Sequence, residues 1–201
     1  MKLYYTPGAC SLSPHIALRE AGLDFEAVQV DLGTKLTKAG ADYRAINPKG
    51  AVPALEIEGG QVLTEGAAIV QYIADKKPSA KLAPIAGTTE RYRLQEWLNY
   101  IASEIHKGFS PLFNPKAPDE WKAMVKDMLG GKFDYLSKQL DGKSYLMGDG
   151  FTVADGYLFT ILSWAKHMNI DLGKWPVLKA YVERVAARPA VSAALKAEGL
   201  A

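Results

Sequence analysis

The sequence predicts an α/β domain followed by an all-α domain. Strand and helix patterns alternate over roughly the first 80 residues, and only helical patterns follow the stretch "KPSAKLAPIAGTTE". The chain of 201 residues is long enough for two small domains with buried cores. We therefore expect a first domain at residues 1–80, a linker at 81–87 and a helical domain at 88–201.

The chain is expected to begin with a strand, a turn and a helix. "MKLYYT" is rich in β-forming residues and is broken by Pro7 and Gly8. From Ser11 onward, apolar residues recur at helical spacing until Gly22, a residue type that commonly ends helices. This predicts a helix of about ten residues that starts just after the only cysteine, Cys10.

The rest of the first domain reads as further strands and a helix. "DFEAVQVDL" predicts a second strand, "TKAGADYRAINPKG" is rich in turn residues with a short helix, and "AVPALEIEGGQVLTE" predicts two strands around Gly59 and Gly60. "EGAAIVQYIADKK" predicts a helix that stops before Pro78. The order β-α-β-α-β-β-α predicts a parallel strand pair with a right-handed crossover and an antiparallel hairpin, which is typical of a thioredoxin-like sandwich.

The second domain is predicted to be helical throughout. Thr152 is followed three residues later by Asp155, a capping-box variant that marks a helix start. The predicted helices are Arg91 to Lys107, Pro118 to Leu140, Thr152 to His167 and Trp175 to Ala187.

Composition excludes several classes of protein. The chain is 48% hydrophobic and 23% charged with a formal net charge of +2, and no block of Lys or Arg favours nucleic acid. No stretch approaches the roughly 20 apolar residues of a membrane span, and Pro7 and Gly8 interrupt any signal peptide. A single cysteine excludes an internal disulfide and fits a reducing compartment, so we expect the cytoplasm. No metal site is expected.

Cys10 is a candidate reactive thiol. The helix that follows it supplies a partial positive charge and unpaired N–H groups, which favour the thiolate and lower the pKa below about 8.5. Cys10 and Ser13 also form a C-x-x-S pattern, the spacing of a thioredoxin redox pair without its resolving cysteine. The alternative is a small buried hydrophobe, and spacing alone leaves the two interpretations even.

The Val52-Pro53 pair precedes a predicted strand. In thioredoxin-like sheets a proline here is usually cis and lies opposite the cysteine turn, which leaves the Val52 N–H and C=O available to a bound peptide. The alternative is an ordinary trans-proline at a strand edge.

Glu65 and Gly66 open the last helix of the first domain. Free N–H groups at a helix start suit a carboxylate, and the Glu65 side chain suits an ammonium, so the pair matches an amino-acid zwitterion. The alternative is plain N-capping with an acid placed for the helix dipole.

With these residues in view, the chain resembles the glutathione transferases, most closely the bacterial beta class. The resemblance covers nearly all of the chain. Its most specific stretches are "KLYY-PGACSLSPHIALRE" and "LQEWLNYIASEIHKGFSPLF", whereas "VPAL" and the capping box are looser.

The resemblance implies a glutathione site in the first domain. Cys10 would lie beside the glutathione sulfur and form a mixed disulfide with it. Val52, followed by Pro53, would pair its backbone with the cysteinyl part, and Lys35 would reach the glycine carboxylate. The γ-glutamyl end would be held by Glu65 and Gly66. Many relatives carry serine at the Gly66 position, so one hydroxyl contact is lost here.

Three polar residues of the second domain are candidates for the same site. Asn99, Ser103 and His106 are spaced i, i+4 and i+7, which places them on one face of a regular α-helix. The resemblance implies that His106 lies near Cys10 and the glutathione sulfur, where it stabilises a thiolate or moves a proton. The alternative is a cation in the last helical turn before Gly108.

Aromatic residues are candidates for an apolar acceptor site, although aromatics at helical spacing more often belong to a core. Tyr157 and Trp164 are seven residues apart on one face. The other candidates are Phe109, Phe113 and Tyr5.

The predicted activity is transfer of glutathione, in which its thiolate attacks a hydrophobic electrophile at carbon or sulfur. Removal of halide from a chlorinated carbon would use the same nucleophile. Two alternatives stay open: glutathione-dependent thiol–disulfide exchange through Cys10, and a non-catalytic binding module. The resemblance also implies a homodimer.

Overall fold

The computed structural model describes residues 1–201 and divides into two compact units. The first unit consists of Met1–Ala83 together with Ala187–Ala201, and the second of Pro84–Ala186. The first unit contains a mixed sheet with helices, and the second contains helices. This confirms the fold class, a thioredoxin-like α/β domain and an all-α domain.

The first unit is built on a five-stranded sheet of order β3-β2-β1-β4-β5. The strands are β1 (Lys2–Tyr5), β2 (Glu26–Asp31), β3 (Leu36–Thr37), β4 (Ala54–Glu56) and β5 (Val62–Thr64). The central strand β1 pairs with β2 in parallel and with β4 antiparallel, and β4 pairs antiparallel with β5. The predicted parallel pair and hairpin are confirmed. The short strand β3, where the turn-rich stretch begins, was not predicted, and the short helix expected in that stretch is a single 3₁₀ turn, Tyr43–Ala45.

Helices α1 (Leu12–Ala21) and α2 (Gly66–Lys76) belong to the first unit, as predicted. Helix α1 is buried over most of its length and ends at Gly22, whose φ of 62° lies in the left-handed region that glycine tolerates. This start point places Cys10 directly before the N-cap residue, Ser11.

The second unit consists of helices around a fully buried centre. They are α3 (Thr89–Tyr100), α4 (Lys107–Phe109), α5 (Asp119–Leu140), α6 (Val153–Leu162), α7 (Trp164–His167) and α8 (Pro176–Ala186). Every residue of α6 is buried, and its first turn is fixed by Asp155, which accepts hydrogen bonds from the Thr152 N–H at 2.8 Å and the Thr152 hydroxyl at 2.9 Å. The reach of Asp155 back to Thr152 is as the capping-box pattern predicts. No helix combines the length and the apolar character needed to cross a membrane.

The C-terminal segment differs from the expected domain division. Residues 187–201 were expected in the helical domain, but they form helix α9 (Pro189–Ala197), which packs on α1 in the first unit. Arg188 holds the Glu20 carboxylate with two hydrogen bonds, from Nε at 2.6 Å and from a terminal nitrogen at 2.8 Å. Buried Val191 and Ala194 supply the apolar contact. The segment therefore belongs to the first core.

Candidate active site

Cys10 lies in a turn that Thr6 and Ser11 hold closed. The Thr6 N–H donates to Ser11 Oγ at 3.1 Å, and the Ser11 hydroxyl donates to the Thr6 carbonyl oxygen at 3.2 Å. Ser11 is fully buried, whereas Cys10 is partly exposed. The turn therefore presents the thiol at the start of α1 while its own backbone stays fixed.

The Val52-Pro53 peptide bond is cis, as expected, and it lies beside this thiol. Cys10 Sγ donates to the Val52 carbonyl oxygen at 3.1 Å. A backbone carbonyl oxygen has two lone pairs, so the Val52 oxygen can accept a ligand donor beside Cys10. The Val52 N–H makes no hydrogen bond within the chain.

The segment leading to Val52 is held by three side-chain donors. Lys35 Nζ donates to the Gly50 carbonyl oxygen at 2.8 Å. The Tyr43 hydroxyl and Asn47 Nδ2 both donate to the Ala51 carbonyl oxygen, at 2.8 Å and 2.7 Å. Because their partners are backbone oxygens, these side chains fix the main chain next to Cys10.

Glu65 and Gly66 lie at the start of α2. Glu65 has φ 67° and ψ 112°, an uncommon conformation for a residue with a side chain, and its carboxylate accepts from Lys49 Nζ at 2.6 Å. A Cβ on Gly66 would lie 3.9 Å from Pro53 Cγ, so the helix start is next to the cis-proline. The first unit thus brings Cys10, Val52, Pro53 and Gly66 together.

Tyr5 also belongs to this unit. Burial, and then the nearby Glu198 carboxylate, raises the pKa of Tyr5 above its usual value of 10.0. Its ring meets the His15 ring edge-on, with centroids 5.9 Å apart. The phenol therefore stays protonated at neutral pH.

In the second unit His106 is held among aromatic rings. His106 Nδ1 lies 2.7 Å from the Tyr157 hydroxyl oxygen, and the His106 and Trp164 ring centroids are 5.1 Å apart in an edge arrangement. Tyr157 is 3% exposed and Trp164 is 7% exposed. The two residues predicted to share a helix face are therefore joined through His106.

The prediction of one shared face for Asn99, Ser103 and His106 assumed a regular α-helix. The helix is not regular here. Helix α3 ends at Tyr100, and Ile101–His106 form a π-helix. Bonding from i to i+5 turns the chain less per residue, so a seven-residue spacing no longer returns to the same face. Asn99 and Ser103 are exposed, whereas His106 is half-buried. Such π-helical turns are frequent at functional sites and leave no clear sequence signal.

The two remaining candidates for the acceptor site, Phe109 and Phe113, differ in how far they are buried. Phe109 is fully buried between Phe133 and Trp164, with centroids 6.2 Å and 5.8 Å away, and is a core residue. Phe113 is 51% exposed and packs edge-on against Trp164, 5.0 Å between centroids. Of the two phenylalanines, only Phe113 can touch a ligand.

Some residues at these positions were not singled out by the sequence. Lys49 pairs with Glu65, and Tyr43 and Asn47 hold Ala51. The "NPKG" turn that contains Asn47 and Lys49 was visible as a turn, but nothing in it indicated partners. No group of three or more His, Cys, Asp or Glu side chains is arranged to hold a metal ion.

Comparisons with known proteins agree with this geometry. The N-terminal domain of glutathione S-transferases matches residues 8–76, and the C-terminal domain matches residues 100–189. The chain belongs to the glutathione S-transferase family. It is 50% identical to glutathione S-transferase GstA of Escherichia coli O157:H7, covering 100% of both chains.

Solved structures of glutathione S-transferases share the fold. A sphingomonad glutathione S-transferase complexed with glutathione is 51% identical, with a TM-score of 0.97 and 100% of both chains covered. The bacterial beta-class glutathione S-transferase of Sphingomonas chungbukensis gives the same values. The resemblance to the beta class is confirmed, and the names of these relatives support the transferase interpretation rather than its alternatives.

Proposed function

We propose that the chain transfers glutathione to small hydrophobic electrophiles and binds it with residues of the first unit. The observation that carries the proposal is the hydrogen bond from Cys10 to Val52, which is followed by the cis-proline Pro53 beside the start of α2. A relative with half of its residues identical is named a glutathione S-transferase, and a structure of similar identity holds glutathione.

The γ-glutamyl group of glutathione is proposed to bind at the start of α2. Its carboxylate suits the helix N-terminal N–H groups, and its ammonium suits the Glu65 carboxylate. Lys49, 2.6 Å from Glu65 Oε1, would add a cation near the ligand carboxylate. Lys35 is the proposed partner of the glycine carboxylate.

The cysteinyl part is proposed to pair with the unoccupied Val52 N–H, which brings the glutathione sulfur beside Cys10. The N–H groups of Leu12 and Ser13 already donate to the carbonyl oxygens of Ala9 and Cys10, so the dipole of α1, rather than a free N–H group, would favour a negative sulfur there. Lowering a thiol pKa from about 9 to about 7 corresponds to about 2 to 3 kcal/mol of preferential stabilisation of the thiolate.

The second unit is proposed to serve sulfur activation and the acceptor. His106 is the proposed proton carrier or thiolate partner, with Asn99 and Ser103 as further glutathione contacts. Phe113 is the proposed apolar contact for the acceptor, and the buried side chains of Trp164 and Tyr157 would support Phe113 and His106 from beneath. Tyr5 is a further candidate from the first unit.

A homodimer in a reducing, cytoplasmic setting is the proposed working state, with detoxification of electrophiles as its role. Three large apolar residues of α5, Trp121, Met124 and Met128, are exposed at helical spacing, which supports a contact surface. Sedimentation equilibrium tests the dimer, and a monomer at micromolar concentration would contradict it.

The experiment that tests the function compares the unaltered chain with Cys10→Ala in two assays. One measures conjugation of glutathione to a chlorinated aromatic electrophile, and the other measures reduction of a glutathione mixed disulfide. We expect conjugation by the unaltered chain, and partial conjugation without disulfide exchange by Cys10→Ala. If the unaltered chain does neither, the enzyme assignment is wrong and a non-catalytic binding module is favoured.

A further inference from the structure

The Ala51 carbonyl oxygen accepts two side-chain hydrogen bonds from the first-unit core. The Tyr43 hydroxyl donates at 2.8 Å and Asn47 Nδ2 at 2.7 Å. Tyr43 is fully buried and Asn47 is 2% exposed. Because water does not compete at such sites, both bonds hold the oxygen firmly.

This oxygen shares a peptide group with the Val52 N–H. The Ala51–Val52 bond is trans, so the carbonyl and the N–H point in opposite directions from one rigid plane. Two donors that fix the Ala51 oxygen therefore fix the direction of the Val52 N–H as well. The other side of Val52 is fixed by Cys10, which donates to its carbonyl oxygen at 3.1 Å.

We propose that Tyr43 and Asn47 are positioning residues for glutathione: through the Ala51–Val52 peptide plane they aim the Val52 N–H at the cysteinyl carbonyl of the ligand. This inference rests on the proposed function. The two donors also polarise the amide, since hydrogen bonds in a chain strengthen one another, so the N–H becomes a better donor.

The protonation state of Tyr43 supports this role. Burial raises the pKa of Tyr43 above its usual value of 10.0, with a smaller opposing effect from Asn47. The hydroxyl therefore keeps its proton and remains a donor over the whole working range of pH. Asn47 serves a second function, because its Oδ1 accepts from the Lys49 N–H at 3.2 Å.

The test is a cycle of two protein variants and two ligands, read as dissociation constants by calorimetry. The variants are Tyr43→Phe, which removes only the hydroxyl, and Asn47→Asp, which keeps the acceptor for Lys49 and removes the donor. The ligands are glutathione and an analogue in which a trans-alkene replaces the cysteinyl–glycine amide. We expect Tyr43→Phe to weaken glutathione binding about three- to tenfold and analogue binding less than about twofold.

Tyr4→Phe is the matched control. Its ring centroid lies 5.6 Å from that of Tyr43, but its hydroxyl donates to Glu56 at 3.0 Å, so the variant should bind glutathione as the unaltered chain does. If Tyr43→Phe loses affinity equally for both ligands, or loses none, the inference is overturned. The proposed function is still upheld in that case if the unaltered chain binds glutathione. An unaltered chain that does not bind glutathione would overturn both. Thermal unfolding establishes that each variant is folded. If Tyr43→Phe does not fold, the dissociation constants of Asn47→Asp for the two ligands decide the test.

Discussion

Glu198 accepts a hydrogen bond from the backbone N–H of Gly8, 190 residues earlier in the chain, at 2.9 Å. Its other oxygen lies 2.8 Å from His15 Nδ1. Arg19 Nε donates to His15 Nε2 at 3.0 Å, so the His15 proton is assigned to Nδ1 and points at Glu198. The carboxylate thereby ties the C-terminal segment to α1 and to the turn that carries Cys10.

Replacing Glu198 should destabilise the first unit strongly. The side chains of His15 and Glu198 are 1% and 0% exposed, so Glu198→Ala removes a buried carboxylate that accepts from His15 Nδ1 and from the Gly8 N–H. We expect a loss of about 3 kcal/mol in the free energy of unfolding, measured in urea. The free energy of unfolding of Glu198→Gln should lie between those of the unaltered chain and of Glu198→Ala, because the glutamine amide offers one acceptor to two donors.

The control for this prediction is Glu96→Gln, which removes an exposed carboxylate 2.8 Å from Arg93. Exposed pairs contribute little, so the melting temperature should stay within about 2 °C of the unaltered chain. Similar losses in Glu198→Ala and Glu96→Gln would show that Glu198 is not a structural tie.

Helix α9 was predictable from local signals and was missed. Pro189 stands at its first turn and Gly199 follows its end, the usual asymmetry of helix boundaries. That α9 belongs to the first unit was not predictable from local signals, because it depends on contacts such as that of Glu198 with Gly8. No periodicity encodes a pairing across 190 residues.

The candidate site was predictable only where one residue stands at a local signal. Cys10 precedes a helix, Pro53 precedes a strand and Glu65 opens a helix, so each was visible along the chain. Lys49 and Tyr43 act through partners fixed by the tertiary fold, and the sequence gives no sign of them. The π-helix that moves His106 off the expected face lacks a sequence signal for the same reason.

Asp155 should make stability depend on pH. It is buried at the start of α6, and burial raises its pKa above 3.8 despite donors from Leu146, Thr152 and Tyr181. A carboxyl whose pKa is raised on folding contributes its full stability below the unfolded pKa and loses it as the pH rises through the folded pKa. The contribution should therefore decrease as the pH rises from about 4 toward neutrality.

The measurement is the free energy of unfolding of the unaltered chain and of Asp155→Asn across that pH range. Asparagine does not titrate, and the other titrating groups are the same in both proteins. Their contributions therefore cancel when the two free energies of unfolding are subtracted. We expect Asp155→Asn to be less stable throughout, because its amide nitrogen faces the Thr152 donors. The difference in free energy of unfolding between the unaltered chain and Asp155→Asn should decrease as the pH rises. A difference that increases would contradict the direction of the pKa shift.

Glu65→Gln should impair glutathione binding without affecting the fold. The Lys49–Glu65 pair is exposed, with side chains 56% and 72% accessible, so the melting temperature should change by less than about 2 °C. Loss of the carboxylate removes the proposed ammonium partner, and the dissociation constant should rise about tenfold. Glu58→Gln removes a comparable charge 3.5 Å from Lys76 and should leave binding unchanged. Equal effects of both variants on binding would count against a specific role for Glu65.

Two glycines of the second unit should respond to alanine in opposite ways. A Cβ on Gly108 would lie 2.9 Å from Leu129 Cδ2, and the Leu129 side chain that would have to shift is 1% exposed. We expect Gly108→Ala to destabilise the chain by about 1 kcal/mol after the gain in helix propensity.

Gly131 lies within α5, is exposed, and has no neighbour within 4 Å of a Cβ. Gly131→Ala should therefore stabilise the chain by about 0.5 to 1 kcal/mol, because alanine restricts the unfolded chain and favours the helix. Urea unfolding of both variants measures the difference, about 2 kcal/mol. A Gly108→Ala variant as stable as Gly131→Ala would show that α4 and α5 can separate at Leu129 without loss, contrary to a close-packed contact there.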